Sequence, residues 1–328
     1  MTAARTWLLR ATAASIVTAA AATGAWVLGS AGGTQSDPIT GPWDTIGGRT
    51  WLLPDLDHAT VIVPDRPHAR REVDDALQGR VALDRTRTYA LSTNSWRLRG
   101  GALPEKQGRR IAVVGDSVAM GHGVDDEQAW PALLAGELSS RGQPTDVLNA
   151  GCPAAGLDTM ESWCTQVGPQ LDLDMLIWAR RGMDSGTGVF RQHVERCQSA
   201  LGIPVLVVLH PTSGFDLRAL READREAADL DRVLSNPVLD LNPLFRQQAA
   251  GRGHRLTVVG DEASLLDPSG QVLASGPRVG DELPAAIYEA FEDDTNIAEA
   301  LFFDGAHPDV EGNALYATAV ADFIQANP

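Results

Sequence analysis

From Arg109 onward, the chain alternates short apolar segments with longer amphipathic ones. The segments with strand character are RIAVVGD, TDVLNAG, LDMLIWA and IPVLVVLHP, and the helical segments between them include AWPALLAGELSSRG and VFRQHVERCQSALG. IPVLVVLHP is almost continuously apolar, which is typical of a strand buried on both faces. Strand–helix alternation of this kind predicts a parallel sheet covered by helices on both faces. The expected fold over residues 109–328 is therefore a three-layer α/β/α domain.

The first 30 residues differ from the rest of the chain. They carry Arg5 and Arg10 and then an uncharged run, Ala11–Ser30, with small residues at its end. Such a segment is either a cleaved signal peptide or an uncleaved membrane anchor that attaches the chain through residues 8–30. Both alternatives predict an exported protein, which is secreted, periplasmic or held at the membrane facing outward.

Two further parts precede the alternating region. Residues 31–50 are rich in Gly, Pro, Thr and Asp, which is typical of a linker. Residues 51–108 contain TVIVP and RTYALSTNSWRLRG, both with β character. We expect residues 51–108 to form a small β-containing extension that packs on the main domain.

Two stretches carry residues suited to nucleophilic chemistry. VVGDSVAMGHGV places Ser117 in a tight turn after the first strand of the alternating region, and FFDGAHPDVEGNALYA places Asp304 and His307 just before the last helix. Ligands of open parallel sheets bind beyond the carboxyl ends of the strands, where Ser117 is expected. Serine needs a neighbouring base, and that base needs an orienting group. Ser117, His307 and Asp304 are therefore the predicted nucleophile, base and orienting carboxylate.

These stretches resemble the SGNH/GDSL hydrolase family over about residues 111–323. GDSVAMGHGV is similar to its first block, VLNAGCPAAG to its second and DGAHPDVEGNALYA to its last. STNSWRLRG is similar to a segment that precedes the first block in some exported members. The resemblance implies a flavodoxin-related α/β/α fold. It also implies ester hydrolysis or acyl transfer through an acyl-serine, without a metal or an organic cofactor.

The resemblance also implies that the backbone N–H groups of Ser117 and Gly151 bind the oxyanion. One block departs from the family pattern, because Met183 in ARRGMDSG stands where the family usually has an asparagine that donates to the oxyanion. Loss of one such donor typically costs about 2.7–4 kcal/mol of transition-state stabilisation. Arg180, Arg181 or a neighbouring backbone N–H is an alternative donor. Asn149 and His210, each at the end of a strand, are further candidates for substrate binding.

Charge and cysteine content narrow the remaining possibilities. The chain has 27 basic and 43 acidic residues, and the resulting net charge of −16 argues against nucleic acid or anionic lipid as a partner. Three cysteines in an exported chain suggest one disulfide and one thiol, with three possible pairings. Cys152 with Cys164 closes the shortest loop and is the preferred pairing. The spacing of the cysteines predicts no metal site.

Three functions are compatible with these features. The first is an exported serine esterase that acts on a small-molecule or glycan ester with a short acyl chain, such as an O-acetyl group. The second is an O-acyltransferase that acts on a cell-surface polysaccharide. The third is a catalytically weakened carbohydrate-binding protein, which Met183 motivates.

An α/β-hydrolase fold is disfavoured, since its G-x-S-x-G turn requires glycine where Ala119 stands. His122 is expected to line the pocket wall or to lie at the surface, and Asp116 to serve as a turn or hydrogen-bonding residue.

Overall fold

The computed structural model describes most of the chain, namely residues 27–30, 43–46, 49–57, 59–64, 86–180, 186–212, 225, 227–278, 283–293, 300–303 and 306–327. Three residues of the predicted site, Arg181, Met183 and Asp304, lie outside these ranges. So do residues 1–26, which make up most of the predicted signal peptide or anchor.

A five-stranded parallel sheet forms the centre of the protein. Its strands are β6 (Arg109–Gly115), β7 (Thr145–Gly151), β8 (Met175–Arg180), β9 (Val205–Leu209) and β10 (Val238–Asp240). Their order across the sheet is β10-β9-β8-β6-β7, and every neighbouring pair is parallel. This is the flavodoxin-like order, in which the chain reverses its direction of winding between β6 and β8. The crevice for a ligand is therefore expected beside the end of β6.

The α-helices with both ends described are α1 (Ser117–Met120), α2 (Trp130–Ser140), α3 (Leu157–Gln166), α4 (Thr187–Leu201), α5 (Asn242–Ala249), α6 (Ala285–Asp293) and α7 (Val310–Ala326). Helices α2, α5 and α7 contribute to the apolar core on one face of the sheet. Helices α3 and α4, with the helical segment 227–233, contribute to the core on the other face. The predicted three-layer α/β/α architecture is confirmed.

The alternation of side chains along β6 explains why both faces are covered. Ile111 and Val113 belong to the core on the α2 and α7 side, whereas Ala112 and Val114 belong to the core on the α3 and α4 side. Successive side chains of a strand point to opposite faces, so an uninterrupted apolar strand needs a helix layer on each side.

The N-terminal part of the chain is built from antiparallel strands. Strands β1 (Val27–Ser30), β4 (Ala59–Pro64) and β5 (Thr86–Leu91) form a sheet in the order β1-β4-β5, and β2 (Trp43–Ile46) pairs with β3 (Arg49–Leu52). Strands β2 and β3 thus begin inside the predicted linker, and β1 lies inside the predicted leader. None of the helices that the structure describes is long and apolar enough to span a bilayer.

A second antiparallel sheet is inserted before the last helix. It consists of β11 (Arg255–Val259), β12 (Glu262–Leu266) and β13 (Val272–Pro277), with α6 packed beside it. The predicted hairpin in DPSGQVLAS is confirmed, since it connects β12 and β13. The strand expected in HRLTVVGDEASLL is two strands of this separate sheet, which pair with each other through a turn and do not extend the central sheet.

The disulfide joins a different pair of cysteines from the preferred one. Cys164 in α3 is bonded to Cys197 in α4, with their Cα atoms 5.2 Å apart. The preference for Cys152 with Cys164 is wrong, because the two helices that lie side by side bring distant cysteines together regardless of loop length. Cys152 is a buried free thiol, and burial raises its pKa to about 12, so it stays protonated and unreactive near neutral pH.

Candidate active site

Ser117 is held in a rigid turn at the carboxyl end of β6. The residue before it, Asp116, caps α1 by accepting a hydrogen bond from Val118 N–H at 2.8 Å. At Gly115, an added Cβ would overlap the Ala179 carbonyl oxygen of the neighbouring strand, so the close approach requires glycine. The Ser117 N–H has no hydrogen-bond acceptor among the residues that the structure describes. It is therefore available to a ligand.

His307 lies directly beside this serine. Its Nε2 atom is 2.8 Å from Ser117 Oγ, although the two residues are 190 positions apart in the chain. The loop that carries His307 is closed by two backbone hydrogen bonds, from Phe303 N–H to the His307 carbonyl and from Asp309 N–H to the Leu301 carbonyl. The structure thus brings together the predicted nucleophile and base. Asp304 falls in this loop but outside the described residues, so its role as the orienting carboxylate stays a prediction.

His210 differs from its predicted role as a substrate contact. Its ring is buried, with 2% of the residue exposed, so it is not placed to meet a substrate. Its Nδ1 atom lies 2.9 Å from Tyr316 Oη in α7, and its Nε2 atom lies 3.2 Å from Asp116 Oδ1. Three neighbouring polar side chains, of which Tyr316 and His210 are buried, therefore connect α7 with the residue that precedes the nucleophile.

The protonation of this chain follows from its surroundings. Burial, together with the negative charge of Asp116, raises the pKa of Tyr316 well above its usual value. The phenol therefore keeps its proton, and its oxygen is hydrogen-bonded to His210 Nδ1. Burial alone would raise the pKa of Asp116, but the His210 ring, the Val118 N–H and the His307 ring outweigh it and lower that pKa to about 2.

The lowered pKa of Asp116 predicts a loss of stability in acid. An aspartate in the unfolded chain has a pKa near 3.9, so the ionised form stabilises the folded state fully above about pH 4 and loses this effect as the pH falls towards 2. We expect Asp116→Asn to lower the free energy of unfolding by about 2–3 kcal/mol near pH 6, since one pKa unit corresponds to about 1.4 kcal/mol. Urea unfolding between pH 6 and pH 2 measures the difference, which should shrink towards pH 2. A difference that stays constant with pH contradicts this assignment.

The predicted oxyanion role of Gly151 does not fit the structure. Its N–H donates to the side chain of Asn149, with Gly151 N 3.0 Å from Asn149 Oδ1. The Asn149 Nδ2 donates in turn to the Met120 carbonyl at 3.0 Å, so Asn149 is buried and occupied and is not a substrate-binding residue in this arrangement. Of the two backbone N–H groups predicted to bind the oxyanion, the one of Ser117 is therefore the available one, and Arg181 lies outside the described residues.

Gly151 and Asn149 instead fix the position of α1 on the sheet. A Cβ at Gly151 would overlap the backbone nitrogen of Met120, so the end of β7 and the end of α1 are in direct contact. The Asn149 side chain spans the same contact with its two hydrogen bonds. Their effect on Ser117 is therefore indirect, because they hold the short helix on which it lies.

Arg99 was not among the site residues predicted from the sequence, yet its side chain makes several hydrogen bonds beside the site. Its side chain, in a residue 6% exposed, donates to the carbonyls of Met120, Gly121 and Val124 at 2.6–2.9 Å and to Asp126 Oδ1 at 2.8 Å. These bonds fix the loop that follows α1. The available signal was its position in STNSWRLRG, the segment similar to one found upstream of the first block in the SGNH/GDSL family.

No group of three or more His, Cys, Asp or Glu side chains suited to holding a metal ion occurs in the part of the chain that the structure describes. The described site places a serine hydroxyl beside an imidazole. Such a pair can transfer an acyl group from an ester to the serine oxygen.

Comparison with known proteins gives structural similarities alone. No protein family model and no curated protein matches the chain. A protein from Desulfitobacterium hafniense assigned to the G-D-S-L family of lipolytic proteins is 16% identical, with a TM-score of 0.41 over 66% of this chain and 99% of that one. An acetylxylan esterase from Geobacillus stearothermophilus is 12% identical, with a TM-score of 0.42, and the match covers 66% of this chain and 95% of the esterase. A two-domain esterase active on acetylated mannans is 14% identical, with a TM-score of 0.45, and the match covers 67% of this chain and 50% of the esterase.

Proposed function

We propose that this chain is a serine esterase of the SGNH/GDSL type, which hydrolyses a carboxylic ester through an acyl-serine. The observation that carries the proposal is the 2.8 Å separation of Ser117 Oγ and His307 Nε2. The pair lies at the carboxyl end of β6, beside the point where the order of the parallel strands reverses. Ligands of such sheets bind at this point, so the nucleophile and the base lie where a ligand is expected.

The geometry supports a two-step reaction. His307 Nε2 takes the proton of Ser117 as Oγ attacks the carbonyl carbon of the ester. The Ser117 N–H donates to the oxygen on which negative charge develops. When the tetrahedral species collapses, the C–O bond to the alcohol breaks, His307 returns its proton to the leaving alcohol, and an acyl-serine remains. His307 then takes a proton from a water molecule as its oxygen attacks the acyl carbon. The bond between the acyl carbon and Ser117 Oγ breaks, His307 returns the proton to Oγ, and the acid is released. In this scheme Asp304 orients His307.

The same proposal includes an exported location and a small or glycan-linked ester as substrate. The Cys164–Cys197 disulfide supports export, because structural disulfides persist in oxidising compartments. The net charge of −16 favours neutral acyl groups such as O-acetyl over anionic substrates. Residues 8–30 would provide the membrane attachment if the leader is retained. The substrate class rests on the motif resemblance and on charge.

The proposal is tested by combining a substrate panel with active-site labelling. The full chain is incubated with p-nitrophenyl esters from acetate to octanoate, and separately with a fluorophosphonate probe that reacts with activated serines. We expect hydrolysis that is fastest for the shorter chains, and a single probe adduct that peptide mass spectrometry places on Ser117. Absence of both turnover and label would overturn the proposal and favour a carbohydrate-binding protein. Faster formation of an acylated glycan than of free acid, when a glycan acceptor is present, would identify an acyltransferase.

A further inference from the structure

The N-terminal extension reaches the loop that carries His307. Tyr89 in β5, 2% exposed, forms one apolar cluster with Val61 of β4, Leu91 of β5 and Phe303. Phe303 lies four residues before His307 and is joined to it by a backbone hydrogen bond. The extension therefore forms part of the support on which the base is carried.

Tyr89 also fixes a second histidine. Its Oη lies 3.0 Å from His122 Nδ1 and accepts a hydrogen bond from the Gly123 N–H. Burial, opposed in part by Arg99, raises the pKa of Tyr89, so the phenol stays protonated. Tyr89 Oη and His122 Nδ1 are therefore joined by a hydrogen bond. The ring of His122, 3% exposed, is thereby held in one orientation.

His122 in turn packs against the base. The ring centroids of His122 and His307 are 4.6 Å apart at an interplanar angle of 55°, and Phe303 stacks on His307 at 5.7 Å and 22°. His122 and Phe303 are themselves 6.2 Å apart. The imidazole of His307 thus has aromatic neighbours from two segments, and both of these segments contact Tyr89 or its cluster.

The packing around the Tyr89, Phe303 and histidine rings leaves these side chains little space to move. Gly123 has a φ of +85°, and a Cβ added there would overlap the ring of Phe303. The Arg99 guanidinium lies 5.5 Å from the centre of the Tyr89 ring. A ring in such packed surroundings moves only if its neighbours move as well. The position of His307 therefore depends on the residues behind it.

We propose that Tyr89 and His122 are positioning residues for His307, so that the N-terminal extension is a working part of the active site. Tyr89 fixes His122, and His122 and Phe303 hold the His307 ring at the distance from Ser117 that proton transfer needs. The kinetic consequence rests on the proposed esterase function, whereas the positioning itself does not.

The kinetic test uses Tyr89→Phe, His122→Phe and the double variant. Tyr89→Phe removes a single oxygen atom and keeps the ring. We expect each single variant to lower kcat for p-nitrophenyl acetate about tenfold with KM within about twofold, because misplacement of a catalytic group by a fraction of an ångström has effects of this order. The double variant should lose no more than His122→Phe alone, since the two residues act as one unit.

Leu265→Ala, in the core of the separate β11–β13 sheet, is the matched control for lost stability. It should lower Tm without changing kcat at 25 °C. If Tyr89→Phe and His122→Phe lower Tm but leave kcat unchanged, or if Leu265→Ala lowers kcat equally, the residues are merely structural and the inference is overturned.

A second measurement does not depend on turnover. In protein labelled with ¹⁵N-histidine, the imidazole resonances of His307 should shift or broaden in Tyr89→Phe and His122→Phe and stay unchanged in Leu265→Ala. If they do so in a chain that hydrolyses no ester, the positioning role stands and the esterase proposal fails. Unchanged His307 resonances in Tyr89→Phe overturn the positioning role, whatever the activity of the wild-type chain.

Discussion

Ser117→Ala is expected to lower kcat/KM for a short-chain ester by at least about 10⁴-fold, because the substitution removes the oxygen that would carry the acyl group. Its Oγ is the atom that His307 Nε2 approaches at 2.8 Å. Substituting Ser117 by Ala leaves the turn intact, since Asp116 still caps α1 through Val118 N–H. The fold should therefore be preserved while the chemistry is lost, and steady-state kinetics with a thermal melt measures both.

The loss of kcat/KM in Ser117→Ala should not add to the loss caused by removing the base, His307. His307→Ala is expected to lower kcat/KM to a similar extent, and the double variant should be no slower than the slower single one, since a nucleophile without its base is already ineffective. Ser269→Ala, in the exposed turn between β12 and β13, is the matched control and should keep wild-type activity. If Ser117→Ala retains more than about 1% of wild-type kcat/KM, Ser117 is not the nucleophile.

The central fold and the juxtaposition of Ser117 and His307 were predictable because they depend on local patterns. Alternation of apolar strands and amphipathic helices specifies a parallel sheet, and the carboxyl ends of its strands must meet at one edge. Ser117 follows one of these strands directly. His307 precedes the last helix, which packs across the sheet on the same side as α2. Proximity of the two side chains follows from this placement.

The roles of Asn149, Gly151 and His210 were not predictable in the same way. All three lie at or just beyond the carboxyl end of a strand, where substrate-binding residues are expected. Whether such a residue faces the crevice or the interior depends on the local path of the backbone. In the structure, Asn149 satisfies the backbone of α1 and of β7, and His210 meets Tyr316 in the interior. Buried polar groups require partners, and these partners come from segments far away in the sequence.

The spacing of residues in the sequence could not predict which cysteines form the disulfide. Nor could it predict the contacts that the N-terminal extension makes. Cys164 and Cys197 meet because α3 and α4 pack side by side. The length of the loop between two cysteines carries no information about this packing. Tyr89 appears in the sequence as one aromatic residue of a β segment. Its importance arises from a contact with His122, 33 positions later, that only the packed structure provides.

Arg99→Ala should destabilise the fold by about 3–5 kcal/mol, the largest effect on stability that we expect from a single substitution in this protein. The change would leave three carbonyls, those of Met120, Gly121 and Val124, without their donor, and the Asp126 carboxylate without its cation. A buried acceptor that loses its partner incurs its full desolvation cost, which is what makes the loss so large. Urea unfolding, followed by circular dichroism, measures the change.

Arg99→Lys separates the charge of this side chain from its geometry. Lysine keeps the positive charge next to Asp126 but lacks the planar fork that reaches several carbonyls at once. We expect it to recover less than half of the stability lost in Arg99→Ala. Because the loop 121–124 carries His122, both variants should also lower kcat when they are assayed well below their Tm. A loss of stability below about 1 kcal/mol in Arg99→Ala would mean that water replaces the guanidinium at these carbonyls, and that Arg99 is not what holds the loop against the active site.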